Sequence, residues 1–326
     1  MAMKIMIVGA GAIGGWLAAV LARGGAEVSL LARGATLEAV RQQGLILQDG
    51  ETTSAFPLPA ASDPTDLPVP DLIVFSVKTH ALAEAARGLA PVLAKGPAVM
   101  TAMNGLPWWF LEGGPLAGTA LHSLDPDGTI ANAFAPCRPI GGVVHASTRV
   151  ERPGTIRVVK IDRLIVGDAA RETSALTRSF ADIVERGGAH CPVTDDIRSE
   201  IWMKLAGNSN TNPLSALTRL SATPLLETPL LRDLLLAMMA EFEAVGRRLD
   251  MTAQMPADKR LVITAKLGNF RTSMLEDADA GRRLEIDGLL GCIVEIADRL
   301  NEPVPVSRTV YALGKGLDLS AALAAR

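Results

Sequence analysis

The 326-residue chain carries 32 Lys and Arg against 35 Asp and Glu, a formal net charge of −3, with 48% hydrophobic and 21% charged residues. This is the balance of a soluble globular protein with length for about two domains and a sizeable core, and without a basic run it offers no general attraction to nucleic acid. Three scattered cysteines (Cys137, Cys191, Cys292) do not suggest a disulfide framework and point to a reducing, cytoplasmic setting; four histidines (His80, His122, His145, His190), none at i, i+4 or beside a CxxC, fit no usual zinc pattern.

The chain opens on an apolar run, Ile5-Met-Ile-Val8, followed at once by GAGAIG at residues 9–14 and a helical pattern over 16–22. A strand, a tight glycine turn and a helix start predict a dinucleotide site. Gly9 serves the turn, Gly11 lets a pyrophosphate approach the main chain, Gly14 allows close helix–strand packing, and the phosphate rests on helix N–H groups. Gly24-Gly25 then stops the helix, and 28–31 reads as a second strand completing a βαβ unit. That strand after Gly25 argues against a signal peptide or membrane anchor, although residues 5–22 carry no charge. NAD sites generally place a carboxylate after the second strand, whereas NADP sites tend to place an arginine nearby. Here the sequence reads Leu31-Ala32-Arg33-Gly34, so Arg33 favours NADP, with Lys78 as a second cation.

Residues 71–77 read as a strand ending at Lys78, 81–93 as a helix, and 98–103 as a strand ending at Asn104-Gly105. Ligands of open parallel sheets bind beyond the carboxyl ends of strands, which makes Lys78 and Asn104 candidate contacts. Between 118 and 166 the pattern changes to strands at 119–124, 140–147, 155–159 and 164–166, punctuated by turn residues, as in an antiparallel extension of the sheet. A helix at 174–185 and a short strand near 190–193 close a first domain, 1–193. From 194 to 326 the reading is helical, with Asp195-Asp196 capping a helix over 197–210 and periodic segments at 229–249, 257–265, 274–278, 281–300 and 308–316.

Within that half, Lys204, Asn208 and Asn212 recur at i, i+4 and i+8 and share a helix face bordered by the apolar stripe Ile197, Ile201 and Leu205. Gly207 costs about 1 kcal/mol in a helix relative to Ala, which suggests that something approaches the backbone there. Asn212-Pro213 alternatively ends the helix over a merely solvated face. Ser273 with Glu276 fits a capping box, and Glu285, set among Leu284, Ile286, Leu289 and Leu290, must face a partner or water.

Taken together, GAGAIG at 9–14, VK at 77–78, NG at 104–105, Lys204 with Asn208 and Asn212, SMLED at 273–277 and GRRLEID at 281–287 resemble the ketopantoate reductase family across essentially the whole chain. The resemblance implies an α/β Rossmann-type N-terminal domain, its mostly parallel sheet extended by antiparallel strands, and an all-α C-terminal domain, with the site in a cleft. It implies NADPH-dependent reduction of a 2-oxo acid, 2-dehydropantoate above all, with Lys204 as general acid and Glu285 hydrogen-bonded to the substrate hydroxyl. Asn104 would position Lys204 and the nicotinamide, while Asn208, Asn212 and Ser273 would hold the substrate carboxylate and hydroxyl. The cofactor would lie on Gly9, Ala10, Gly11, Ala12, Ile13 and Gly14, with Arg33, Lys78 and Asn104. The implied partners are a small-molecule substrate and no nucleic acid or membrane; the helical stripes leave a homodimer open. Trp108-Trp109-Phe110 and Thr79-His80-Ala81, which lacks an expected amide, depart from the family pattern and leave room for a paralogue acting on another 2-oxo acid or an opine-type imine.

Overall fold

The computed structural model describes residues 2–251, 255–266 and 268–324. Positions 1, 252–254, 267 and 325–326 of the two expected domains lie outside the described residues. The chain divides into two compact units, Met1–Met103 with Gly128–Glu200, and Asn104–Asp127 with Ile201–Arg326. The segment Asn104–Asp127 thus folds with the second unit, although it follows a strand of the first.

The first unit contains, in order, β1 (Lys4–Val8), α1 (Ala12–Arg23), β2 (Glu27–Leu31), α2 (Gly34–Gln43), β3 (Leu45–Asp49), β4 (Thr52–Phe56), β5 (Ala60–Ala61), β6 (Leu72–Phe75), α3 (Leu82–Gly88), α4 (Ala90–Leu93), β7 (Ala98–Thr101), α5 (Thr129–Phe134), β8 (Arg138–Arg152), β9 (Thr155–Asp168) and α6 (Ala175–Arg186). Its nine-stranded sheet runs β4-β3-β9-β8-β7-β6-β1-β2-β5. The stretch from β8 to β5 through β7, β6, β1 and β2 is parallel, while β8–β9 and β3–β4 are antiparallel. Ile5 to Val8 and all of β6 and β7 are buried, as expected of strands covered on both faces. Trp16, Leu17 and Leu21 of α1 pack into the same core.

Several expectations need correction here. The segments 155–159 and 164–166 are one strand, β9, because the β8–β9 ladder runs on through polar Lys160, opposite Ser147, and bulges out Asp162 and Val159 at register shifts between His145/Ala146 and Ser147/Thr148. The expected helix at 81–93 is a 3-10 turn (Thr79–Ala81) followed by α3 and α4, divided where Pro91 enters the first turn of α4 without an N–H to donate. Near 190–193 the chain runs parallel to β9 as a short bridge rather than a full strand: Leu164 and Val166 donate to the His190 and Pro192 carbonyls at 2.9 and 3.1 Å, and Thr194 donates to the Val166 carbonyl at 2.9 Å. The β3–β4 hairpin was not anticipated; Thr52-Thr-Ser sits on the sheet's edge, where polar residues are tolerated.

The second unit is helical: most of α7 (Ile197–Thr218), then α8 (Ala222–Glu227), α9 (Pro229–Arg248), α10 (Ala257–Lys266), α11 (Ser273–Asp279), α12 (Cys292–Leu300) and α13 (Pro305–Ala324). Asp196 caps α7, its carboxylate accepting from the Ser199 N–H at 3.3 Å and hydroxyl at 2.6 Å. The helix continues through Pro213 to Thr218, burying Leu214 and Ala216 beyond it, so Asn212-Pro213 does not end it. Residues 119–124, expected as a strand, form turns. The Glu295 carboxylate of α12 accepts the His122 and Ser123 N–H groups at 2.8 Å each, and Arg299 donates to the Ala120 carbonyl at 2.7 Å, so these backbone groups are satisfied outside any ladder. The expected helix over 281–300 is irregular at 282–285, passes through a π-helical turn (Asp287–Gly291) and becomes α12. No helix among the described residues is long and apolar enough to cross a membrane.

Candidate active site

The candidate site residues fall into two sets, one in each unit. In the first unit the glycine turn leaves β1 through Gly9 at φ +96° and enters α1, whose N-cap Gly11 contributes no side-chain cap. A Cβ on Gly14 would lie 2.0 Å from the Gly9 carbonyl oxygen and 2.1 Å from the Ser76 Oγ, so helix and turn meet at a distance only glycine permits. A Cβ on Gly11, by contrast, would meet nothing within 4 Å. Exposed Gly11 therefore leaves open space above the first turn of a helix, where main-chain N–H groups have no intrahelical acceptor and favour an anion. A pyrophosphate fits that cradle. Ser76, unremarked in the sequence, donates its hydroxyl to the Gly9 carbonyl at 2.7 Å and ties the turn to the end of β6.

Arg33 sits just beyond β2 as the N-cap residue of α2. Its guanidinium meets Glu84 at 2.5 Å, with both side chains well exposed. This hydrogen bond, reinforced by charge, holds the Glu84 carboxyl below its ordinary range. Lys78, also exposed, follows β6 at the entry to the 3-10 turn.

In the second unit Lys204, Asn208 and Asn212 lie on successive turns of α7. Asn212 is buried and Asn208 half-buried. Lys204 keeps some surface open, but burial of its ammonium lowers its pKa to about 8, a shift that the nearby Glu285 carboxylate partly opposes. Near Gly207 the closest group is the Arg260 guanidinium, 4.0 Å from a built Cβ, which donates to the Met203 carbonyl at 2.8 Å. That is ordinary contact, so no described protein group makes the close approach expected at Gly207.

Glu285 is 7% exposed and sits at the end of the irregular stretch before the π-helical turn. The preceding loop is stapled, because the buried Asp277 carboxylate accepts from Arg282 Nε at 2.8 Å. Asn104 reaches the same unit: Gly105, at φ +91°, brings its backbone so near Gly288 that a Cβ would stand 2.5 Å from the Gly288 carbonyl oxygen. Ser273 is not the N-cap of α11. Thr272 is, accepting the Leu275 N–H at 3.2 Å, which leaves Ser273 exposed in the first turn. Of the three bulky residues after Asn104, Phe110 is fully buried and stacks on Trp202 at 5.9 Å between ring centroids, and Trp202 stacks on Phe242 at 4.2 Å. Trp109 is also core, whereas Trp108 is half-exposed.

Two family models together match most of the chain. "Ketopantoate reductase PanE/ApbA" matches residues 5–171 and "Ketopantoate reductase PanE/ApbA C terminal" matches 196–318. A 2-dehydropantoate 2-reductase of Mesorhizobium japonicum is 40% identical over 319 residues, covering 97% of this chain and 98% of its own. A solved chain from Ralstonia solanacearum MolK2 superposes with a TM-score of 0.92 at 37% identity, covering 98% of this chain and 99% of that one. The 2-dehydropantoate 2-reductase structure from Methylococcus capsulatus gives 0.85 at 26% identity, with 98% of both chains covered. With a Rossmann-type sheet, a glycine cradle for a dinucleotide and a helical unit carrying Lys204 and Glu285, the chain belongs to the ketopantoate reductase family and is a nicotinamide-dependent oxidoreductase acting on 2-oxo acids.

Proposed function

We propose that the protein reduces 2-dehydropantoate to pantoate with NADPH, Lys204 acting as the general acid. The observation that carries the reading is the state of Lys204: an ammonium brought to a pKa of about 8 by burial, with a buried carboxylate, Glu285, in its field. Hydride addition to a ketone builds negative charge on oxygen. A cation within hydrogen-bond reach stabilises that charge and delivers the proton, most effectively when its pKa lies near working pH. When bound, the nicotinamide supplies the hydride. Gly9 to Gly14 would hold its pyrophosphate, while Asn104 would position Lys204 and the nicotinamide. Asn208, Asn212 and Ser273 would donate to the substrate carboxylate and hydroxyl. Glu285 would accept from the hydroxyl that forms.

The decisive experiment follows NADPH and NADH oxidation across a panel of 2-oxo acids. The expected result is a kcat/KM for 2-dehydropantoate well above the rest, with NADPH preferred. Equal rates across the panel would favour a second reading, a paralogous reductase of another 2-oxo acid, for which half-exposed Trp108 close to Asn104 in sequence is the specific pointer.

Cofactor choice follows from Arg33. A guanidinium beyond β2 suits the 2′-phosphate of NADPH, and its weak exposed pair with Glu84 is readily exchanged for that phosphate. Arg33→Ala is expected to raise the KM for NADPH by about 10- to 100-fold, the equivalent of one charged hydrogen bond, while leaving that for NADH nearly unchanged. Steady-state kinetics with both nucleotides checks this; an equal rise for both would remove Arg33 from phosphate recognition.

A further inference from the structure

The last helix, α13, meets the Glu285 segment residue by residue. Asp318 accepts the Leu284 N–H at 2.7 Å, on the N-terminal side of Glu285. Ile286 rests on Gly314, where a Cβ would stand 2.9 Å from its side chain. Asp287 receives the Tyr311 hydroxyl at 2.6 Å and the Lys315 ammonium at 2.8 Å. Residues 311, 314, 315 and 318 are spaced i, i+3, i+4 and i+7, so they form one stripe of α13. The Tyr311 ring also lies against Gly291, 2.9 Å from where a Cβ would be, at the end of the π-helical turn. On its other flank this segment carries the Gly105–Gly288 crossing.

Nothing about Glu285 itself demands so many ties. Residues 282–285 lie outside any helix or strand, and the Glu285 carbonyl accepts the Leu289 N–H at 3.1 Å as the helical turn begins, so the residues on either side help to set where its carboxylate lies. Burial and acceptance by Asp287 hold the Tyr311 phenol well above its ordinary range, so the hydroxyl remains a donor at any working pH. π-helical turns are strained and recur at functional sites, where they set a side chain that a regular helix would misdirect.

We propose that Tyr311, Lys315 and Asp318 are positioning residues that fix the Glu285 carboxylate for the 2-oxo acid substrate, acting through Leu284 and Asp287. The inference rests on the proposed role of Glu285. A site group displaced by even an ångström loses much of its effect. Disorder at Glu285 therefore appears in substrate handling and leaves nucleotide binding alone.

The test compares Tyr311→Phe, Lys315→Met and Asp318→Ala in the full chain with Glu285→Gln, and with Leu313→Ser at an exposed position of the same helix as control. Each clamp variant is expected to raise the KM for the 2-oxo acid and lower kcat, reducing kcat/KM by about 10- to 100-fold, with NADPH affinity within about twofold of wild type by fluorescence titration. Lys315→Arg and Asp318→Asn, which keep a donor and an acceptor, are expected to restore most of the loss. Combined with Glu285→Gln, the clamp substitutions should cost little more, because they act through the carboxylate already removed. Thermal melts alongside separate folding from placement. Lower melting with unchanged kinetics, or losses that add fully to those of Glu285→Gln, overturns the clamp while leaving the site reading intact. If Glu285→Gln alone leaves substrate kinetics unchanged, the site reading fails, and the clamp with it.

Discussion

Lys204→Ala is expected to lower kcat for 2-oxo acid reduction by about 10²- to 10⁴-fold, the contribution typical of a positioned general acid, while NADPH still binds. In the proposed role the protonated amine is the competent form, so in the wild type the rate of reduction is expected to fall as pH rises through about 8, where the burial-lowered pKa lies. The reverse oxidation needs the neutral amine and rises over the same window. Glu285 opposes the shift in Lys204, so Glu285→Gln lets the pKa fall further and moves the descending limb to lower pH. Stopped-flow NADPH oxidation in the forward direction and NADP+ reduction in the reverse, from about pH 6 to 10 on the wild type and both variants, checks each of these statements. Turnover untouched by the alanine variant would take Lys204 out of the chemistry.

Gly14→Ala and Gly11→Ala are expected to fail in different ways. At Gly14 the methyl would lie 2.0 Å from a main-chain oxygen and 2.1 Å from the Ser76 hydroxyl, so the turn must open and the Ser76 to Gly9 hydrogen bond is lost. Overpacking of this kind costs about 1–3 kcal/mol or more; melting temperature falls and NADPH affinity falls with it. At Gly11 the methyl meets no protein atom within 4 Å, so the fold stands. It occupies instead the space above the helix N–H groups, and NADPH affinity is expected to drop by at least about tenfold with melting nearly unchanged, a loss on the scale of one charged hydrogen bond. Calorimetric titration beside thermal melts reads both quantities. A Gly11→Ala chain that binds NADPH like wild type would place the pyrophosphate elsewhere.

The elements most legible in the sequence were those whose burial writes itself into composition. β1, β6 and β7 are unbroken apolar runs bounded by turn residues, and the glycine turn is recognisable because each glycine has its own reason. β4 is hard to read because an edge strand that starts Thr-Thr-Ser has little apolar face, and β3, though Leu45 and Leu47 are buried, is an apolar run of only three residues before Gln48-Asp49. Residues 119–124 misled because alternation looks the same whether the N–H groups enter a ladder or, as here, meet Glu295 from far along the chain. Adjacent hydroxyls at 272 and 273 made the cap ambiguous by one position, and the structure gives it to Thr272. In the site, the helical spacing of Lys204, Asn208 and Asn212 was readable. The attraction between Lys204 and Glu285 and the grip of α13 on residues 284–287 were not, because sequence distance hides which polar groups meet.

The crossing of Gly105 over Gly288 has an evolutionary corollary. Every single-base change in a glycine codon that alters the residue adds a side chain, and at 105 each such addition runs into a main-chain oxygen that no rotamer can evade. One-step drift is closed at this codon. Libraries selected for turnover of a new 2-oxo acid should therefore gather their substitutions around position 105, with that codon itself returning as glycine among the survivors.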